Sequence, residues 1–158
     1  MNLLATPVEK VFSMFRMMLE KDSGFFQYEG LDASEAQALS AKRADAYLNA
    51  AIAEMTLEAG GKVDFGRVGD YFKEELTEPE VFLLALRMLV IYLSGNIPPL
   101  ATANVNYTGR ELRVFDPSNA RSTFMEMLQS VRANLAAKMD LYRSNDRDSN
   151  KLVSIVGV

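Results

Sequence analysis

The stretch from Thr77 to Gly95, TEPEVFLLALRMLVIYLSG, constrains the fold of this chain more than any other part of it. Between residues 81 and 93 every residue except Arg87 is apolar, so a helix here has almost no polar face. Such a helix lies either in a membrane or at the centre of a packed bundle. The run is shorter than the roughly 20 residues that a bilayer requires, and a charge in its middle would be costly there. The stretch therefore predicts a central helix that other helices surround.

Both ends of this helix carry sequence signals. Thr77 and Glu80 fit a Thr-x-x-Glu capping box, and Pro79 lies in the first turn, where its missing N–H costs little. Gly95, with two prolines shortly after it, predicts the end of the helix. The charged side chain of Arg87 is expected to pair with an acid or to reach the edge of the bundle. A salt bridge to a second subunit or to a ligand is the alternative.

Three further long helices and one short helix are predicted from caps and from apolar residues at helical spacing. They run from Pro7 to about Lys21, with Thr6 as cap, from Asp32 or Ser34 to about Ala59, near Val68–Leu76, and from Asp116 onwards. The inward-facing stripes of the long helices are Val8, Val11, Phe12, Phe15, Met18 and Leu19, then Ala41, Ala44, Leu48, Ala51 and Met55, and finally Phe124, Leu128, Val131, Leu135, Met139 and Tyr142. The alanine-rich stripe allows a neighbour to approach closely, in the same chain or in a second copy.

Extended structure is predicted after the central helix. Residues 103–115 alternate apolar and polar side chains around Thr108-Gly109, which is typical of a β-hairpin. Residues 143–151, RSNDRDSNK, are polar and are predicted to form a flexible linker. They lead to residues 152–158, LVSIVGV, an apolar run that would be an aggregation hazard if left exposed. This run is expected to pair with the hairpin as a third strand or, by β-augmentation, with the sheet of another protein.

The 158 residues together predict one mainly α domain: a helical bundle of about four main helices with a small β-hairpin and an extended C-terminal arm. Residues 1–143 are assigned to the bundle, with the hairpin inserted at 103–115, and residues 144–158 to the linker and arm. The N-terminus has neither the basic region nor the apolar region of a signal peptide, which favours a cytosolic soluble protein.

The amino-acid composition excludes many common catalytic mechanisms. The chain has no histidine and no cysteine, so it lacks the commonest general base, a thiolate nucleophile and zinc–sulfur ligands. The carboxylates of Glu74, Glu75, Glu78 and Glu80 surround a helix start, where the helix dipole favours negative charge. Asp64-Phe65-Gly66 matches a kinase tripeptide without the other kinase motifs. We expect no enzyme, no cofactor and no metal, and keep as an alternative an enzyme that binds Mg²⁺ or Mn²⁺ through carboxylates.

The order of these features resembles the head–tail connector (adaptor) proteins of tailed bacteriophages. The resemblance is carried by the acidic helical core over residues 6–143, the hairpin ANVNYTGRELRVFD at 103–116 and the arm SNDRDSNKLVSIVGV at 144–158. It implies a virion protein, assembled in the host cytoplasm, that forms a homo-oligomeric ring, often of twelve copies, below the portal. The arm would bind portal, neck or tail proteins or a neighbouring subunit. DNA would pass through the channel without sequence-specific binding, which the net charge of −4 fits.

The residues expected to contact a partner are the arm residues Leu152, Val153, Ile155 and Val156, with the hairpin tip, Tyr107, Thr108, Gly109 and Arg110, as a secondary contact. A different class is also open: a small acidic helical chaperone or adaptor that binds a protein partner. The nine methionines suit either core filling or such an adaptable binding surface. That alternative predicts a stable dimer with a dispensable tail. Neither interpretation involves a membrane.

Overall fold

The computed structural model describes residues 5–19, 30, 32–106, 117–149 and 151–152. These residues form helices and one two-stranded antiparallel β-hairpin. In chain order the elements are α1 (Val8–Leu19), α2 (Ala33–Glu58), β1 (Arg67–Val68), β2 (Tyr71–Phe72), α3 (Glu78–Asn106) and α4 (Pro117–Ser144). The predicted fold class, a mainly helical bundle of four main helices with a small hairpin, is confirmed.

Helix α3 is the centre of the bundle, because α1, α2 and α4 each pack against it. Its buried apolar residues are Val81, Leu83, Leu84, Ala85, Leu86, Met88, Tyr92 and Leu93. Removing this much apolar surface from water is the main favourable contribution to folding. The prediction of a central helix surrounded by others is confirmed.

The start of α3 forms one half of the predicted capping box. The backbone N–H of Thr77 donates to Oε2 of Glu80 over 2.8 Å, and the Val81 N–H donates to the Thr77 carbonyl over 3.0 Å. The Thr77 hydroxyl oxygen is buried and has no hydrogen-bond partner within the described part of the chain. The Glu80 side chain therefore caps the helix, and the threonine hydroxyl does not.

The end of α3 differs from the prediction. The helix continues past Gly95 and both prolines to Asn106, so residues 103–106, predicted as the first arm of a hairpin, are helical. Gly95 does not adopt a positive φ, because glycine permits that conformation without requiring it. Extending an existing helix adds one hydrogen bond per residue, whereas a lone hairpin is marginal in water. The remainder of the predicted hairpin, residues 107–115, lies outside the described residues.

The hairpin of this fold lies earlier in the chain, where the sequence analysis predicts a short helix over residues 68–76. Val68 pairs with Tyr71 across a two-residue turn, Gly69-Asp70, in which Gly69 has a φ of 60°. Tight hairpin turns require positive φ at such positions, and glycine provides it without strain. The same glycine disfavours a helix. The prediction of a short helix is therefore wrong.

The segment before α1 extends this hairpin. The Phe72 N–H donates to the Thr6 carbonyl and the Val8 N–H donates to the Asp70 carbonyl, both over 2.9 Å. The Thr6 hydroxyl, predicted to cap α1, accepts a hydrogen bond from the Leu76 N–H over 2.8 Å. The start of α1 is thus fixed by the connection between the hairpin and α3. Its predicted stripe is buried at Val8, Val11, Phe15 and Leu19.

Helices α2 and α4 follow their predicted stripes. Asp32, one of the two predicted caps, is the N-cap of α2 and forms a complete capping box with Glu35. The helix ends before Ala59 and Gly60, and Gly60 has a φ of 65°. Ala41 is exposed. The other described stripe residues are buried or partly buried: Ala44, Leu48, Ala51 and Met55 on α2, and Leu128, Val131, Leu135, Met139 and Tyr142 on α4.

Candidate functional site

The C-terminal end of α4 is fixed to the bundle by Lys62, which follows α2. The Lys62 ammonium donates to the backbone carbonyls of Tyr142, Arg143 and Asn145 over 2.5, 2.9 and 2.6 Å. The last carbonyls of a helix have no partner within the helix, and the helix dipole attracts a cation at this end. Lys62 meets both requirements, so the point at which the chain leaves α4 is well defined.

Residues 145–149 and 151–152, which we name the C-terminal turn, fold back on one another. Asn145 and Leu152 form an antiparallel β-bridge, and the Asp146 N–H donates to the Lys151 carbonyl over 2.7 Å. Oδ2 of Asp146 accepts from the N–H and the hydroxyl of Ser149 over 2.9 and 2.8 Å. The two hydrogen bonds from Ser149 lower the pKa of Asp146 below its ordinary value. Residues 145–149, predicted as part of a flexible linker, lie in this turn, which local side-chain hydrogen bonds close.

The C-terminal turn is attached to the start of α3 through a buried carboxylate. Arg147 donates from Nε to Oε1 of Glu80 over 2.7 Å and from Nη2 to Oε2 over 3.1 Å. Its Nη2 also donates to the Glu75 carbonyl over 2.5 Å. The Tyr142 hydroxyl donates to Oε1 of Glu80 over 2.6 Å. We call Glu80, Thr77, Tyr142 and Arg147 the Glu80 cluster.

The Glu80 cluster keeps its carboxylate ionised despite burial. The Glu80 side chain is 0% exposed, and burial alone would raise the pKa of Glu80. The hydrogen bonds from Arg147, Tyr142 and the Thr77 N–H outweigh burial, so the net effect is a lowered pKa. Burial and the nearby carboxylate raise the pKa of Tyr142, which stays a neutral donor. A buried charge that is paired and fully hydrogen-bonded is tolerated, whereas an unpaired one is costly.

Only one of the eight predicted contact residues lies in the described part of the chain. Leu152 is 72% exposed and ends the C-terminal turn. The other arm residues, Val153, Ile155 and Val156, and the hairpin-tip residues, Tyr107, Thr108, Gly109 and Arg110, lie outside the described residues. The sequence pattern predicts Glu80 only as a cap and does not point to Arg147. No local pattern reveals a pair of residues that are 67 positions apart.

Arg87, the charged residue of the central helix, pairs with acids as predicted. Its side chain is 11% exposed and contacts Glu54 over 3.1 Å and Glu58 on α2. Arg143 of α4 donates from Nε to the Glu58 carbonyl over 3.0 Å. Nε of Arg87 is buried without a hydrogen-bond partner among the described residues. Arg87, Glu54, Glu58 and Arg143 form the Arg87 cluster, which ties α2, α3 and α4 together.

An apolar groove of about 430 Å³ lies beside the C-terminal turn, where α1, α3 and α4 meet. We name it the α4 groove. Asn145 lies at its border with the turn, and Glu78 and Lys138 supply charge. Its apolar lining consists of Met14, Pro79, Phe82, Leu83 and Leu141.

A second groove, of about 730 Å³, lies between α1 and α2. Phe12 and Phe15 line one side, and the alanine-rich face of α2, including Ala41 and Ala44, lines the other. The alanine stripe therefore belongs to the core at Ala51 and borders this groove at Ala41.

The described residues show no arrangement for holding a metal ion or for crossing a membrane. Within these ranges no group of three or more acidic, histidine or cysteine side chains is arranged to hold a metal ion. No helix in the same ranges combines the length and apolarity that crossing a membrane requires. In the Asp64-Phe65-Gly66 tripeptide, Asp64 accepts the Gly66 N–H over 2.7 Å and pairs with Lys73 over 3.3 Å, and Phe65 is buried. These contacts stabilise the loop that leads into β1.

Comparisons with known proteins give no family for this chain. No protein-family model matches it, and neither the curated proteins nor the solved structures contain a match.

Proposed function

We propose that this chain is a non-enzymatic assembly protein of the head–tail connector type found in tailed bacteriophages. In this proposal, copies form a ring, of about twelve by resemblance to that family, below a portal in the virion. The residues from Leu152 onwards bind portal, neck or tail proteins or a neighbouring copy. The order of the helical core and the C-terminal apolar run supports this proposal.

The attached C-terminal turn is the observation that carries the proposal. Lys62 holds the end of α4 and Arg147 holds the turn on Glu80, so the apolar run begins at a fixed place on the bundle. Leu152, its first residue, is 72% exposed. A short apolar segment can add a strand to a partner sheet, with main-chain hydrogen bonds for affinity and alternate side chains for specificity. Fixing one end of that segment reduces the entropy lost on binding.

The charge of the chain supports passage of DNA rather than its capture. The net charge of −4 repels phosphate, so a ring of such subunits would let DNA slide through its channel. We therefore propose no sequence-specific DNA contact.

The test is the oligomeric state of the full chain and of two matched variants, measured by analytical ultracentrifugation over a concentration series. Ile155→Asp places a charge in the apolar run, and Ser154→Asp places the same charge at the adjacent polar position. We expect the full chain and Ser154→Asp to form a closed ring and Ile155→Asp to lose it while its helical circular dichroism is retained. A full chain that stays monomeric, or a ring that Ile155→Asp leaves intact, would contradict the proposal.

A second candidate function is a small acidic adaptor that binds a partner on its helical surface. Exposed apolar side chains on the helices favour it: Met17 is 59% exposed, Met127 46% and Leu57 86%. Flexible thioethers suit a surface that adapts to a partner. This function predicts a dimer that persists in Ile155→Asp, so the same sedimentation series separates the two candidates.

A further inference from the structure

The α4 groove borders the point at which the described chain ends, and this position suggests what fills it. Asn145 lines the groove and also forms the β-bridge with Leu152. Leu152, the last described residue, is therefore paired with a residue that lines an open apolar surface. We propose that the α4 groove binds residues 153–158 of the same chain.

The direction of the chain at Leu152 supports this assignment. Chains in an antiparallel pair run in opposite directions. Because Leu152 is antiparallel to Asn145, a chain that continues in the direction set at Leu152 would run back along the last turns of α4, past the positions that precede residue 145. Tyr142, Leu141 and Lys138 occupy those positions, and all three line the groove.

The length of the segment also fits. Six residues in extended conformation span about 20 Å. The seven residues of α4 from 138 to 144 rise only about 10 Å along the helix. Residues 153–158 can therefore follow the groove along its α4 side without stretching and without a second copy of the chain.

The chemistry of groove and segment is complementary. The segment VSIVGV contains four β-branched apolar residues and no charge. The groove offers Met14, Phe82 and Leu83 next to Leu141, which is 53% exposed. Covering both surfaces removes apolar area from water in one step and shields a strand-forming segment that would otherwise aggregate. Attachment to the turn raises the effective concentration of the segment at the groove.

The docking goes beyond the proposed function and does not depend on it. One consequence does rest on that function: residues that bind a partner must first leave the groove, so the groove and the partner compete for them.

The experiment uses the absence of cysteine in the natural sequence. The full chain with Val158→Cys carries one nitroxide label, and nuclear magnetic resonance records the broadening of the methionine methyl signals at a concentration where the chain is monomeric. We expect broadening of Met14, which lines the groove. No broadening of Met14 would overturn the proposal.

Two matched variants and one mixture complete the test. Leu141→Asp places a charge in the groove and should abolish the Met14 broadening, whereas Leu57→Asp, at a leucine 86% exposed outside the groove lining, should keep it. Broadening that survives Leu141→Asp would contradict the docking. A mixture of labelled chains and unlabelled isotope-enriched chains should show no broadening; if it does, a second copy fills the groove and the assignment to the same chain is wrong. The broadening of Met14 does not require a ring. A full chain that forms no ring but still shows this broadening would therefore refute the proposed function and leave the docking intact.

Discussion

The central helix carries two charged residues among its buried ones, and the structure satisfies them in different ways. Glu80 is completely buried and receives hydrogen bonds from Arg147, Tyr142 and the Thr77 N–H. Arg87, two turns further along, pairs with Glu54 and Glu58, whose side chains are 47% and 39% exposed. The acids of the Arg87 cluster therefore stay in contact with water, whereas the carboxylate of the Glu80 cluster does not.

This difference shows where the bundle depends on its C-terminal turn. Water can solvate Glu54 and Glu58 if Arg87 is lost, but among the described residues only Arg147 forms an ion pair with Glu80. Removing one partner of a buried pair leaves an uncompensated charge and costs more than the pair contributed. The Glu80 cluster thus couples the C-terminal turn to the stability of the whole bundle, and the Arg87 cluster does so far less.

The largest expected effect is that of Arg147→Met. It keeps much of the side-chain length but leaves the carboxylate of Glu80 buried without a cation, which should lower the free energy of unfolding by about 3 kcal/mol. Urea denaturation at neutral pH measures this change. Arg16→Met is the control, because Arg16 pairs with Glu9 on the exposed surface of α1, where such pairs contribute about 0.5 kcal/mol or less. Equal losses in the two variants would mean that the Glu80 cluster has no special role.

Acid should weaken the contact between Arg147 and Glu80. The loss in the free energy of unfolding should be smaller than in Arg147→Met, because a protonated Glu80 keeps part of its hydrogen bonding. The folded-state pKa of Glu80 lies below its ordinary value of 4.5. Its contribution to stability is therefore fully present above that value and is lost as the pH falls through the folded-state pKa. Denaturation of the natural chain and of Glu80→Gln across this range should show a stability difference that shrinks on acidification. Two parallel curves would be inconsistent with an ionised, stabilising Glu80.

The smallest effect is expected for Arg87→Met. The substitution fills the same space, leaves both glutamates partly solvated and removes a buried Nε that has no partner in the described structure. We expect a loss of about 1 kcal/mol in the free energy of unfolding, because replacing a buried charge by an apolar side chain offsets much of the lost pairing. The same urea titration measures it. A loss as large as that of Arg147→Met would remove the contrast between the clusters.

Local signals predicted much of this fold. The Asp32 cap of α2 acts within one turn of the chain, and the apolar stripes of α1, α2 and α4 determine which face is buried. The central position of α3 follows from an apolar run with almost no polar face. Such features depend on neighbouring residues only, so the sequence shows them directly.

The errors arose where a local signal allows more than one structure. Gly95 and the prolines after it predict a helix end, yet α3 continues to Asn106, and the Gly69-Asp70 turn of the hairpin falls within a predicted short helix. The polarity of residues 145–149 predicts a linker, and it equally suits the side-chain hydrogen bonds that close the turn. The link from Arg147 to Glu80 joins distant positions and could not be predicted from one sequence.

The most direct test of this account is amide hydrogen exchange at Asp146 and Ser149 in the full chain. Both amides donate within the C-terminal turn, to the Lys151 carbonyl and to Oδ2 of Asp146. We expect both amides to be protected from exchange in the natural chain. In Arg147→Met their protection factors should fall by about tenfold or more, while the amides of α3 stay protected at a level set by the remaining global stability. Exchange at free-peptide rates in the natural chain would contradict this account, because the turn would then not be held on Glu80.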